Sequence, residues 1–400
     1  MPPAPSPTYC PLPWIHLCAN PNGRLMLCCE DTLQSESPHP RTFHILEGVA
    51  AYWSSPYLAW VREQMRAGEQ LQECEVCYRN EAVGLPSKRQ HELQQWGVVD
   101  RPTEPCYFDL KLGNRCNLGC LMCDPNSSSR LAAEYRALGW DTAPPFETGQ
   151  MGIPVRQTFH DDYDWPTDAR FWQLMHDFLP GIRRLKFTGG EPLLNPHVFT
   201  LLAAARQLGR SDLQLQITSN GTILNERLVE LLQAFPTDLI ISVEGVGRTN
   251  EFLRYPSRWE VIQAHLEQLR DAGVPFRINT TVSGLNLLGL PELFEFNHQL
   301  HTRRVTLIPI VFPAFLQPGI VPAALAHAAR ERLADWRRHT TIPEADDYHR
   351  WLSGLLDATH PDSRLWSELE CYVQRLSAYR GLDWRDYLPE LQGFLDVDPG

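Results

Sequence analysis

Three cysteines on one short loop carry the sharpest chemical signal in the chain. The segment reads Arg115-Cys116-Asn117-Leu118-Gly119-Cys120-Leu121-Met122-Cys123, a Cys-x3-Cys-x2-Cys spacing. Three thiolates on one loop can hold three irons of a [4Fe–4S] cube and leave the fourth iron without a protein ligand. An open coordination position is what distinguishes a reactive metal site from a structural one. Zinc sites usually pair two Cys-x2-Cys knuckles, and no partner knuckle follows this triplet. A structural zinc lacking its fourth ligand, or buried free thiols, are the alternatives the spacing leaves open.

A second group precedes it. Cys10, Cys18, Cys28, Cys29, Cys74 and Cys77 fall in the first eighty residues, and Cys74-Glu75-Val76-Cys77 is a Cys-x2-Cys knuckle. A knuckle plus two distant cysteines satisfies a four-thiolate site, where geometry alone does not separate zinc from iron–sulfur. Beyond Cys123 the next cysteine is Cys371, so ligand chemistry belongs to the first third of the chain. Cys18 reads as a structural thiol, and Cys106 and Cys371 as core residues.

The elements that must position these residues follow from hydrophobic periodicity. Apolar, β-branched runs predict strands at Cys106–Leu112, Arg184–Thr188, Leu213–Thr218, Leu239–Val243, Phe276–Val282 and Arg304–Ile310. Between them lie helical stretches at Ser128–Leu138, Phe171–Phe178, His197–Leu208, Asn225–Phe235, Trp259–Ala272 and Pro291–Leu300. This alternation predicts an α/β fold with a parallel sheet covered on both faces. Six units are too few for a closed eight-stranded barrel, which leaves a partial barrel or an open doubly wound sheet. Either form collects its chemistry at the C-terminal strand ends. The cysteine triplet sits at such an end. Trp140–Pro166 breaks the rhythm and reads as a lid or a solvated insertion, with His160-Asp161-Asp162 inside it. A helix is predicted over Trp53–Ala67. Beyond Phe315 the pattern turns helical: Pro322–His339, Asp346–Leu356, Ser363–Tyr379 and Trp384–Phe394.

With the triplet placed after the first predicted strand, three more motifs align at strand ends. They are Thr188-Gly189-Gly190-Glu191-Pro192, Ser219-Asn220-Gly221 and Ser242-Val243-Glu244-Gly245. Together the four motifs resemble the radical S-adenosylmethionine (SAM) superfamily over about residues 105–315. The resemblance implies a partial (β/α)6 TIM barrel, with a SAM-binding [4Fe–4S] cluster on Cys116, Cys120 and Cys123. It implies that Gly189, Gly190 and Glu191 face the ammonium of SAM, and that Ser219, Asn220 and Ser242 meet its ribose or carboxylate. Glu244 stands where relatives commonly have Asp. Arg254 resembles the arginine that clamps the SAM carboxylate, a role suited to a guanidinium fork. The implied chemistry is one-electron reductive cleavage of the sulfonium to a 5′-deoxyadenosyl radical, which abstracts hydrogen from an unactivated C–H bond.

The N-terminal pattern is similar to the auxiliary-cluster domains called SPASM and twitch. Twelve residues separate Cys10 from Gly23 and four more separate Gly23 from Cys28. That resemblance implies an auxiliary [4Fe–4S] cluster on Cys10, Cys28, Cys74 and Cys77, with Cys29 the alternate for Cys28. The expected organisation is a twitch-like auxiliary domain over 1–103, the partial barrel over 104–316 and a helical appendage over 317–400.

Composition narrows the partners. The chain has 36 basic against 48 acidic residues, a net charge of -12, which argues against nucleic acid as a partner. No run of about 18 apolar residues exists to span a bilayer, and the N-terminus has no secretory core, so a cytoplasmic enzyme is expected. The expected substrate is a peptide or a small metabolite, with a flavodoxin or ferredoxin as reductant. A zinc-stabilised binding protein and an iron–sulfur electron-transfer protein are the other classes the cysteines allow.

Overall fold

A computed structural model describes residues 6–99, 104–140 and 163–395. The stretch 141–162 lies outside the described residues. It takes in most of the expected lid and all of His160-Asp161-Asp162.

The described chain contains an eight-stranded sheet: β1 (His16–Ala19), β2 (Leu25–Met26), β3 (Tyr107–Lys111), β4 (Arg184–Thr188), β5 (Gln214–Ser219), β6 (Thr237–Ser242), β7 (Phe276–Val282) and β8 (Thr306–Pro309). Its order is β2-β1-β3-β4-β5-β6-β7-β8. β3 to β8 follow one another in chain order. A doubly wound sheet reverses its order at a switch point, so that alternative is set aside and the progression agrees with a partial barrel. The pairs β1–β3, β3–β4, β4–β5, β6–β7 and β7–β8 are parallel, and β1–β2 is antiparallel.

All six strands expected from periodicity are present, two with identical bounds and four with ends shifted by one or two residues. β1 and β2 are not expected from the sequence. They are four and two residues long and wholly buried, so they offer no alternation to read. Helices follow β3 to β7 as expected, at Ser129–Ala137, Ala169–Phe178, Pro196–Gln207, Glu226–Gln233, Trp259–Asp271 and Leu290–Gln299. The expected helix at Trp53–Ala67 instead starts at Pro56, because Ser55 caps it by accepting from Leu58 N at 3.1 Å and Pro56 fits the first turn. The expected helix at Trp384–Phe394 is two single turns, Trp384–Asp386 and Pro389–Leu391, since Pro389 has no N–H to continue a helix.

The chain divides into two compact units. The first comprises Met1–Asn114, Asp161–Ile217 and Ala234–Pro236, and the second Arg115–His160, Thr218–Gln233 and Thr237–Gly400. The first unit holds β1 to β4 and the N-terminal cysteines. The second holds the cysteine triplet, β6 to β8 and the C-terminal helices.

Candidate iron–sulfur and S-adenosylmethionine site

In the second unit the cysteine triplet lies on a loop whose backbone is tied on every side. Gly119 N donates to Tyr255 O at 2.7 Å and Leu121 N to Leu253 O at 2.9 Å. The loop carbonyls accept from side chains: Leu118 O from Ser128 Oγ at 2.6 Å, Leu121 O from Tyr372 Oη at 2.9 Å, and Gly119 O from Arg380 Nη2 at 2.5 Å. Ser128 also caps helix Ser129–Ala137 through Leu131 N at 3.1 Å. One residue thus fixes both the loop and the helix after it. Such bonding pre-positions the thiols, as a rigid metal site requires.

Arg254 follows Leu253 and faces the triplet. It is 8% exposed, and its Nη1 donates to Glu244 Oε2 at 3.0 Å. Its Nε is buried and makes no hydrogen bond among the described residues. Burial pushes the Cys120 thiol up to about 12, a shift that the nearby Arg254 charge opposes. Burial raises Cys123 too, with Cys120 and Cys116 adding to the effect. Three crowded thiols beside one buried cation are a donor set that suits a cationic cluster, which would deprotonate them.

Asn220 donates to Asn117 Oδ1 at 2.8 Å and towards Cys116 Sγ at 3.8 Å, while its Oδ1 accepts from Thr222 N and Oγ1 at 2.9 and 2.6 Å. Its amide is directed at the cysteine loop. Ser219 Oγ accepts from Gly221 N at 3.1 Å, within its own turn. Ser242 ends β6, half-buried. Glu244 is held through its N–H to Asn250 Oδ1 at 3.0 Å.

In the first unit, Gly189 takes φ +114, and a Cβ built there would stand 2.6 Å from Leu112 N. Only glycine fits that approach, and Gly190 N continues it by donating to Gly113 O at 3.1 Å. Glu191 is buried and its Oε1 accepts from Leu193 N at 3.0 Å.

The N-terminal cysteines gather in the same unit. Cys74 and Cys77 sit at the start of helix Glu75–Ala82, and Cys10 lies just before helix Leu12–Ile15. Cys28 lies within electrostatic reach of Cys29, Cys10 and Cys74, and Cys10 within reach of Cys77. Cys29 instead feels Lys88, Lys186 and Asp109. Burial raises all four of Cys10, Cys28, Cys74 and Cys77. Cys106 is half-buried and Cys371 is exposed. The expectation of a core Cys371 is therefore corrected: it lies on the outer face of helix Ser363–Arg380, whose apolar stripe is Trp366, Leu369, Val373 and Leu376.

Sequence reasoning missed a polar row across the sheet. Cys18 pairs with Asp109, Asp109 with Lys186, and Lys186 with Gln216 in the strand register. Their neighbours Leu17, Phe108, Leu185, Phe187, Leu215 and Ile217 are buried on the opposite face. The signal lies in Arg184-Leu185-Lys186-Phe187-Thr188, a polar–apolar alternation inside a sheet otherwise read as apolar.

Among the described residues no helix is long and apolar enough to cross a membrane. The family model described as the radical SAM superfamily matches residues 110–296. An AdoMet-dependent heme synthase of Methanosarcina barkeri is 30% identical over 208 residues, 51% of this chain and 50% of that protein. The PqqA peptide cyclase of Gluconobacter oxydans is 25% identical over 211 residues, 51% of this chain and 49% of the relative. A GTP 3′,8-cyclase of Corynebacterium glutamicum is 28% identical over 195 residues, 47% of this chain and 44% of the relative. The chain thus spans about half the length of the curated relatives it matches. The cysteine loop, the Gly189-Gly190 and Ser219-Asn220 turns and Arg254 all fall inside the span 110–296, over which the chain matches the radical SAM superfamily.

Proposed function

We propose that the chain is a radical SAM enzyme that abstracts hydrogen from an unactivated C–H bond of a peptide or small-metabolite substrate. The observation that carries this reading is the tethered loop of Cys116, Cys120 and Cys123 beside the buried, incompletely bonded Arg254. The three thiols would hold a [4Fe–4S] cluster, and Arg254 would receive the SAM carboxylate on its Nε edge, since Nη1 is engaged by Glu244. Cluster and SAM, when bound, supply one-electron cleavage of the sulfonium and a carbon radical that no side chain provides.

The chain's own residues have the remaining tasks. Gly189 and Gly190 keep the strand end bare of side chains, so backbone carbonyls can approach an ammonium, with Glu191 beside them. Ser219 and Ser242 supply hydroxyls at strand ends. The Asn220 amide, bonding towards Cys116 Sγ, would tune the cluster potential. Glu244 holds Arg254 in place. A second [4Fe–4S] cluster on Cys10, Cys28, Cys74 and Cys77 would accept an electron or bind substrate. The position of Cys29 among Lys88, Lys186 and Asp109 favours Cys28 as the ligand. A flavodoxin or ferredoxin would supply the electron, in the cytoplasm.

Anaerobic reconstitution tests the reading. It predicts about eight irons per chain for two cubes, and Arg254→Lys should keep them while weakening SAM binding. Zinc in place of iron at both cysteine sets would overturn it and leave the binding-protein reading.

A further inference from the structure

β1 and β3 bring Cys18 opposite Asp109, and strand alternation puts His16 on the same face two residues earlier. Ligand atoms of His16, Cys18 and Asp109 all lie within 4.8 Å of one another, and all three residues are buried. Both His16 and Asp109 have side chains 0% exposed.

The bonding around these atoms is one-sided. His16 Nδ1 lies 3.1 Å from the Leu27 carbonyl oxygen. A carbonyl only accepts, so Nδ1 carries the hydrogen and Nε2 presents a lone pair. That lone pair has no hydrogen-bond partner among the described residues and faces Asp109 Oδ2 at 4.0 Å. Oδ2 already accepts from Lys186 Nζ at 2.8 Å, whereas Oδ1 is buried without a partner among the described residues. His16 Nε2 and Asp109 Oδ1 are thus two buried acceptors left without a hydrogen-bond partner among the described residues, with the Cys18 sulfur beside them.

We propose that His16, Cys18 and Asp109 form a mononuclear zinc site, separate from both cysteine sets. One imidazole, one thiolate and one carboxylate are donors that select zinc over magnesium or calcium. The His16 Nδ1–H bond to a backbone carbonyl is the outer support that metal-bound histidines usually have. Binding releases the Cys18 proton, and Asp109 Oδ1 is the carboxylate oxygen that Lys186 leaves to the metal. Three protein donors leave one tetrahedral position, which a water can fill.

The test uses the anaerobically reconstituted full chain, loaded with zinc sulfate and desalted. Iron and zinc are counted by mass spectrometry, and the zinc shell is read by X-ray absorption. The expected result is about one zinc per chain, with sulfur at about 2.3 Å mixed with nitrogen and oxygen at about 2.0–2.2 Å. Cys18→Ala, which leaves the Lys186–Asp109 pair intact, and His16→Gln should each lower retained zinc at least about tenfold with the iron count unchanged. An all-sulfur shell, no retained zinc in the unaltered chain, or zinc undiminished in both variants overturns the proposal. Because the readout is zinc, it does not depend on whether the cysteine triplet supports radical chemistry.

Discussion

Arg254 is the residue on which the geometry of the cysteine loop and the expected cofactor converge. It is buried, and its Nη1 lies 3.0 Å from Glu244 Oε2. Arg254→Lys keeps one charge but loses the planar fork. One lost charge-assisted hydrogen bond is worth about 1.5–3 kcal/mol, so the KM for SAM should rise roughly tenfold to a hundredfold. Titration of 5′-deoxyadenosine production against SAM checks this, and an unchanged KM places the clamp elsewhere. At Gly189 the prediction concerns stability. Alanine there would carry φ +114 and a Cβ 2.6 Å from the Leu112 backbone, at a cost of about 2 kcal/mol or more. A denaturant melt of Gly189→Ala measures the loss, and a melt superimposed on the parent contradicts the close approach. Both residues were legible as motif members. The Glu244 partnership of Arg254 was not, because ten residues of sequence separation carry no sign of an ion pair. Cys18 was read as an inert thiol because only the register of β1 against β3 reveals Asp109 opposite it.

At the scale of elements, helix Ser363–Arg380 is more than an appendage. Its Arg380 pairs with Glu134 Oε2, stacks over the Tyr255 ring at 4.7 Å and donates to the Gly119 carbonyl. Its Tyr372 holds the Leu121 carbonyl and bonds Tyr135 Oη at 3.2 Å. Arg380→Ala leaves buried Glu134, among the described residues, with the more distant Arg130 at 3.6 Å. Removing one partner of a buried pair costs up to about 3–5 kcal/mol, and the remaining arginine puts the expectation near the lower end. Thermal unfolding should show that loss, together with lower iron retention, because the loop loses an anchor. Tyr372→Phe removes two neutral hydrogen bonds, to Leu121 O and from Tyr135 Oη, at about 1 kcal/mol each, and should lower iron retention less than Arg380→Ala does. Equal iron retention in both variants and the parent would show that the loop holds its shape without this helix. Periodicity located the helix to within one residue, yet nothing in its 3.6-residue pattern marks which polar side chains reach a distant loop. The strands β3 to β8 were legible because each is an apolar or alternating run of four to seven residues bounded by turn residues. β1 and β2 were hidden among cysteines and prolines.

At the scale of the whole molecule, two cysteine sets occupy two compact units, with the triplet in the second and the tetrad in the first. In each unit the motifs stand at the ends of strands: Gly189-Gly190-Glu191 after β4 in the first, and Asn220 after β5 and Ser242 at the end of β6 in the second. The central claim is that the triplet supports reductive cleavage of SAM. The most direct measurement is 5′-deoxyadenosine formed from SAM by anaerobically reconstituted, dithionite-reduced protein, set beside the variant Cys116→Ala, Cys120→Ala, Cys123→Ala. The account predicts 5′-deoxyadenosine from the parent, none above background from the variant, and loss of about half the iron as one of two cubes disappears. A fully iron-loaded parent that forms no 5′-deoxyadenosine, or a variant that forms as much as the parent, would contradict it.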